Sequence, residues 1–237
     1  MNIALILSGG SGKRLGADIP KQYISIRGRM IITECLMRVA GSGRIDKVQI
    51  VAAGEWQQKI LDEFRACAGD DSYSARIAGF SCPGDTRQLS ILNGIRDIAA
   101  YASDDDLLLI HDAARPLVAR DQISACLDAC REHDGAMPVL PMKDTVYLSR
   151  DGKTVSELLD RERIFAGQAP EAFRLGKYLR ANEALLPDRI LKINGSTEPA
   201  VKYGMDIAMI PGDEGNFKIT TGKDLKAYES ICAARDK

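Results

Sequence analysis

A chain of 237 residues, 45% hydrophobic and 27% charged, carries enough apolar material for one large α/β domain or one domain with a small appendage. Its formal net charge of -1 excludes a global positive field that would gather nucleic acid, while leaving room for a local basic pocket. No apolar run is long enough to span a bilayer, and residues 1–10 lack the basic start of a signal peptide, so a cytoplasmic protein is expected.

In chain order, Asn2–Leu7 is an apolar run stopped by Ser8-Gly9-Gly10, which predicts a buried strand. Residues 30–39 have helical spacing, 47–52 read as a second strand, and 55–66 as a helix with Trp56, Ile60 and Phe64 on one face. A third strand at 75–80, a helix at 86–101, the apolar strand 106–110, a helix at 122–133 and a strand at 135–140 continue the alternation. This rhythm predicts a mainly parallel, doubly wound, Rossmann-like sheet covered on both faces. The rhythm breaks after Pro141. Residues 144–148 and 154–159 flank a Ser-Arg-Asp-Gly-Lys turn, which predicts a protruding β-hairpin, because Gly152 tolerates the positive φ such a turn needs. A helix at 175–186, strands at 207–210 and 217–219 and a helix at 221–234 complete the chain. No linker or repeat interrupts it, so residues 1–237 are expected to form one domain with an arm at about 143–165.

The six cysteines are irregularly spaced and contain no C-x-x-C. Cys126 and Cys130 fall on one predicted helix, but no second pair or His-x-x-x-His accompanies them, so reduced thiols are expected rather than a zinc site.

Four segments carry chemistry. The first is the turn Ser8-Gly9-Gly10-Ser11-Gly12, followed by Lys13, Arg14 and, a little later, Lys21. Glycines let backbone N–H groups approach an anion, and clustered cations add charge, so this turn is a candidate triphosphate cradle. It is neither a Walker A loop, which needs Ser or Thr where Arg14 stands, nor a dinucleotide fingerprint, whose third glycine falls at Leu15. The second is His111-Asp112-Ala113-Ala114-Arg115-Pro116 at the carboxyl end of a strand, where Asp112 is placed to hold Mg²⁺ and Arg115 to pair with it. His111 is expected to be structural. The third, from Pro83 to Ser90, offers Gly84, Asp85 and Ser90 to a base or ribose, although read alone it is an ordinary helix N-terminus capped by Asp85 or Thr86. The fourth is a scatter of polar residues in the last third, among them Thr145, Arg161, Thr197 and Lys218.

In this order and spacing, the glycine-rich turn, Pro20-Lys21-Gln22-Tyr23, the stretch 111–116, Lys143-Asp144-Thr145 and residues 217–220 resemble the cytidylyltransferases that make CDP-methylerythritol and their relatives that make CDP-ribitol. The resemblance spans nearly the whole chain. It implies transfer of CMP from CTP to a small polyol phosphate, methylerythritol phosphate ahead of ribitol phosphate, with Mg²⁺ and release of pyrophosphate. It also implies that Ser8, Gly9, Gly10, Ser11, Gly12, Arg14 and Lys21 grip the triphosphate, and that Gly84, Asp85 and Ser90 contact cytosine and ribose. Asp112 would hold the metal, and Thr145, Arg161, Thr197 and Lys218 would contact the acceptor, with Lys218 also near the reacting phosphates, so that Arg14, Lys21 and Lys218 are the expected catalytic residues. Exchange of the arm between two subunits of a homodimer is implied as well. The sequence departs from the family pattern in the acceptor half, with Ala169-Pro170-Glu171 in place of Thr-Pro-Gln and Thr197-Glu198-Pro199 in place of Thr-Asp-Glu or Thr-Asp-Asp. Two readings of other classes compete: a redox enzyme binding a dinucleotide at the first turn, and a non-catalytic nucleotide-binding protein.

Overall fold

The computed structural model of the chain describes residues 1–10, 19–69 and 71–235. Ser11, Gly12, Lys13 and Arg14 therefore lie outside the described residues. The first half runs β1 (Asn2–Leu7), β2 (Ser25–Ile26), β3 (Arg29–Met30), α1 (Ile31–Ala40), β4 (Lys47–Val51), α2 (Gly54–Ala68), α3 (Asp71–Ser74), β5 (Ile77–Ser81), α4 (Arg87–Ala99), β6 (Leu107–Asp112), α5 (Arg120–Ala129) and β7 (Gly135–Pro141). The second runs β8 (Val146–Leu148), β9 (Glu157–Leu159), β10 (Phe165–Gly167), β11 (Glu171–Arg174), α6 (Leu175–Glu183), α7 (Glu198–Lys202), β12 (Ile207–Pro211) and α8 (Gly222–Arg235).

The alternation along β1 explains why the core has two halves. Successive side chains of a strand point to opposite faces. Ala4 and Ile6 enter one apolar cluster with Leu36 and Val39 of α1, Phe64 of α2 and Ile123 of α5. Ile3 and Leu5 enter another with Ile91 and Ile95 of α4 and Tyr178 of α6. A strand apolar on both faces needs helices on both faces, which is the doubly wound arrangement predicted above. Contact is close: a Cβ added at Gly94 of α4 would stand 2.4 Å from Leu5 Cδ1.

Among the described residues, eight strands form the main sheet, ordered β10-β7-β11-β6-β1-β4-β5 with β12 also on β7. β5, β4, β1 and β6 are mutually parallel, and β12 is parallel to β7. β11 is antiparallel to both β6 and β7, and β10 is antiparallel to β7. Neither β10 nor β11 is foreseen from the sequence. Each is only three or four residues long, and Gly167 and Pro170 interrupt any alternation between them. The strand expected at 217–219 does not form. Its backbone is tied across the ends of other elements: Ile219 N–H donates to Ala114 O at 2.9 Å, and Ile219 O accepts from Lys21 Nζ at 2.6 Å.

The predicted hairpin is present as β8 and β9, paired antiparallel from Val146↔Leu159 to Leu148↔Glu157 and separate from the main sheet. The Asp151 carboxylate accepts from the backbone N–H of Lys153 and Thr154, both at 2.8 Å, and Gly152 takes φ of 70°. The hairpin is apolar on its outside, with Tyr147, Val155 and Leu158 all exposed. All six cysteines are free, and Cys35, Cys126 and Cys130 are buried. Among the described residues, no helix is long and apolar enough to cross a membrane.

Candidate active site

In open parallel sheets, ligands gather where neighbouring strands send their connections in opposite directions. β1 and β6 are such neighbours: β1 leads toward β4 on one side, and β6 leads through α5 to β7 on the other. The register aligns Val51, Leu7 and Asp112 in one row at the carboxyl ends of β4, β1 and β6. A cleft of about 480 Å³ opens over that row, bordered by Ser8, Gly9, Gly10, Lys21, Gly84, Asp85, Arg87, Ser90, Asp112 and Lys218.

The turn after β1 is held from below. Ser8 Oγ donates to Val51 O at 2.6 Å, and Ser8 O accepts from Gln22 Nε2 at 2.5 Å and Tyr23 Oη at 2.9 Å. Gln22 Nε2 also reaches Gly10 O at 2.8 Å. The Lys21-Gln22-Tyr23 run thus fixes the turn with its second and third residues and presents Lys21 with its first. The two described glycines differ in purpose. A Cβ at Gly9 would collide with Pro83 Cβ at 2.7 Å, whereas Gly10 faces open space.

The opposite wall is the start of α4. Thr86 is its N-cap, accepting from Leu89 N–H at 3.1 Å, so Asp85 is left to the cleft. Ser90 Oγ accepts from Gly84 N–H at 3.0 Å and donates to Thr86 O at 2.9 Å. Ser90 therefore braces the loop that carries Gly84 and Asp85. Gly84 itself is required by packing, since a Cβ there would lie 2.6 Å from Leu89 Cβ.

Asp112 forms the centre. Only 7% of it is exposed, and among the described residues three cations surround it: Lys218 Nζ at 2.9 Å, Arg87 Nη2 at 3.1 Å and Arg115 Nε at 3.7 Å. Burial alone would push its carboxyl up, but the charges of Arg87 and Lys218 outweigh that and hold it well below the usual carboxylate range. The pairing of Arg115 with Asp112 is as read from the sequence. Arg115 Nη1 also donates to Asn216 O at 2.6 Å, and the Asn216 amide is itself buried against Gln122 and Ala169 O. Lys218 is thereby fixed by the backbone on either side of it. His111 is fully buried with Nε2 at 3.0 Å from Arg115 O, and burial lowers its pKa to about 4. It is neutral at pH 7 and holds the loop, as expected.

The remaining expected residues are dispersed. Thr197 is buried, its Oγ1 donating to Met137 Sδ at 3.4 Å, beside Ser196 rather than on the cleft surface. Thr145 and Arg161 lie exposed at the base of the hairpin, where Arg161 Nη1 donates to Lys143 O at 3.1 Å. Sequence reading assigned no role to Arg87, Ser196 or Asn216. Arg87 stood inside a quoted motif, but a cation in the first turn of a helix resembles ordinary surface charge. Ser196 and Asn216 give no local signal, because their partners are about a hundred residues away along the chain for Arg87–Ser196 and Arg115–Asn216.

A cleft that sets cations and a glycine-rich turn over the ends of parallel strands suits a reaction that brings two anions together, and the protein is an enzyme of the nucleotidyltransferase class. The sequence profile of 2-C-methyl-D-erythritol 4-phosphate cytidylyltransferase matches residues 2–234, and the chain belongs to that family. A 2-C-methyl-D-erythritol 4-phosphate cytidylyltransferase of Rubrobacter xylanophilus is 35% identical over 99% of this chain and 96% of its own length. A ribitol-5-phosphate cytidylyltransferase of Streptococcus agalactiae is 30% identical over 100% and 97%. The crystal structure of 4-diphosphocytidyl-2C-methyl-D-erythritol synthase from Anaerococcus prevotii superposes with a TM-score of 0.80, covering 98% of both chains at 21% identity, and so shares the fold.

Proposed function

We propose that the protein transfers CMP from CTP to a small polyol phosphate, 2-C-methyl-D-erythritol 4-phosphate ahead of ribitol 5-phosphate, and releases pyrophosphate. The observation that carries this reading is the ring of Lys218, Arg87 and Arg115 around Asp112 at the end of β6, facing the turn after β1 across one cleft. An acceptor phosphate oxygen forms a new bond to the α-phosphorus of CTP while the bond from that phosphorus to the β-phosphate bridge breaks. The electron pair leaves with pyrophosphate. Both reactants are anions, so positioning and fixed positive charge supply most of the acceleration. Ser8, Gly9 and Gly10 with Lys21 receive the triphosphate, helped in this reading by Ser11, Gly12 and Arg14. Gly84, Asp85 and Ser90 form the nucleoside side, and Lys218 stands at the reacting phosphates.

Among the described residues, no three His, Cys, Asp or Glu side chains converge on a metal position. Asp112 offers a single anionic oxygen pair, which fits Mg²⁺, a cation that commonly takes one or two carboxylates and completes its shell with water and substrate phosphates. We assign Asp112 as its protein ligand; when bound, Mg²⁺ would offset charge on the triphosphate.

We read the chain as one domain with an arm at about 143–165 that joins two subunits. The outward-facing Tyr147, Val155, Leu158 and Phe165 give the arm an apolar face in need of a partner, and Thr145 and Arg161 would then serve the other subunit's acceptor site. Six unpaired cysteines suit the reducing cytoplasm. Pyrophosphate release with Mg²⁺, each of CTP, ATP, GTP and UTP, and each acceptor tests the reading. Release confined to CTP and one acceptor is expected; release with no nucleotide and acceptor pair would defeat it.

A further inference from the structure

One buried charge takes no part in the chemistry above. Glu171 opens β11, where the register sets it opposite Ile110, and it is 8% exposed. Burial pushes its carboxyl above the ordinary range, against the pull of the Arg87 guanidinium. A carboxyl in that position costs stability when ionised, and a glutamine of nearly the same shape would not carry that charge. A charge at such a position calls for a use.

The contacts of Glu171 supply one. Ser196 Oγ donates to Glu171 Oε2, and the same hydroxyl oxygen accepts from Arg87 Nη1 at 3.0 Å. The other terminal nitrogen of Arg87 donates to Asp112 at 3.1 Å. A single guanidinium therefore spans two carboxylates, directly to Asp112 and through a hydroxyl to Glu171. Ser196 is 1% exposed, and its carbonyl accepts from Tyr178 Oη at 2.6 Å, so the link is anchored on a third side by α6. Thr197 follows immediately and leads into α7. Without the Glu171 charge, Arg87 would be drawn toward Asp112 alone, where Lys218 and Arg115 already sit.

We propose that Glu171 is a positioning residue for the acceptor: through Ser196 it keeps Arg87 extended on the wall of the cleft, where the guanidinium meets a phosphorylated polyol. The inference rests on the transfer reading above and assigns the acceptor end a part of its own. Glu171 touches neither substrate; it acts through Arg87 and Ser196.

Two variants test it. Glu171→Gln preserves an acceptor for the Ser196 hydroxyl and so preserves the fold, while Ser196→Ala cuts the same link from the other side. In each, the KM for the acceptor should rise about tenfold or more, the scale of a lost hydrogen bond to a charged group, while the KM for CTP stays within about twofold. The double variant should be no worse than the poorer single, because both remove one coupling. An unchanged acceptor KM in folded Glu171→Gln, equal rises for CTP and acceptor, or additive effects in the double variant would overturn the proposal. A second readout is independent of turnover. The Arg87 Nε–H should exchange with solvent faster in Glu171→Gln than in the unsubstituted protein, by ¹⁵N NMR; equal exchange would overturn the proposal. An unsubstituted protein that turns over no acceptor would count against the transfer reading, leaving the exchange measurement to decide this one.

Discussion

The two ends of the cleft are built in different ways. The nucleotide end comes from short segments that each follow a strand: residues 8–10 after β1, Gly84 and Asp85 after β5 with Ser90 of α4 behind them, and Asp112 at the end of β6. Sheet register aligns the strand ends that carry these segments, so each can be recognised by its own few residues. The acceptor end is assembled from contacts between distant pieces, with Glu171 and Ser196 25 residues apart and Arg87 and Ser196 109 apart. Chemistry mounted on strand ends is local and robust. Chemistry mounted on a relay of side chains depends on every member, and one substitution can redirect it.

The largest effect should come from the point where the two ends meet. Lys218→Ala should lower kcat by about 10²–10³-fold, the usual loss when one preorganised charge is removed, with an unchanged circular dichroism spectrum. A kcat near that of the unsubstituted protein would place Lys218 outside the reaction.

Asp112→Asn should come next, and it isolates the nucleotide end. The Mg²⁺ concentration for half-maximal rate should rise by about tenfold or more, at least the loss that follows removal of an outer partner at a metal site. An identical Mg²⁺ titration would remove Asp112 as a ligand. The same variant has a signature in stability. A carboxyl whose folded pKa is depressed adds stability above its unfolded pKa, near 4, and that stability is lost as pH falls through the folded value. Thermal melts of Asp112→Asn should therefore lose less stability than the unsubstituted protein as pH falls below about 4.

The smallest effect on the nucleotide end should follow from removing residues 143–163. Light scattering should report a monomer where the unsubstituted protein is a dimer, while the Kd for CTP changes by no more than about twofold, since no arm residue borders the cleft. An unchanged mass would contradict the arm as the dimer contact. A large loss of CTP affinity would break the separation between the two ends.

The same contrast explains what could be read from the sequence. Asp112 was legible because it closes a strand two residues past the apolar run 107–110, and Arg115 because it lies three residues further on, within pairing distance. The two-sided core was legible from β1, whose every residue from Ile3 to Ile6 is apolar. β10 and β11 were not, being too short to show a period around Gly167 and Pro170. Residues 217–219 alternate like a strand, yet their backbone is claimed by Ala114 and Lys21, and only resemblance to a family pointed to Lys218. Glu171 stood out as a departure from the family pattern with no visible reason. The reason lies in Ser196 and Arg87, which no stretch of sequence places beside it.

The central claim is that one cleft joins CTP to a polyol phosphate. ³¹P NMR of the protein with CTP, Mg²⁺ and 2-C-methyl-D-erythritol 4-phosphate, with ribitol 5-phosphate in a parallel sample, tests it most directly. The account predicts that the triphosphate signals decay as two coupled signals of a new diphosphate ester and the signal of free pyrophosphate grow in equal amounts, in one of the two samples. Intact CTP in both, or loss of CTP without a diphosphate ester, would contradict it.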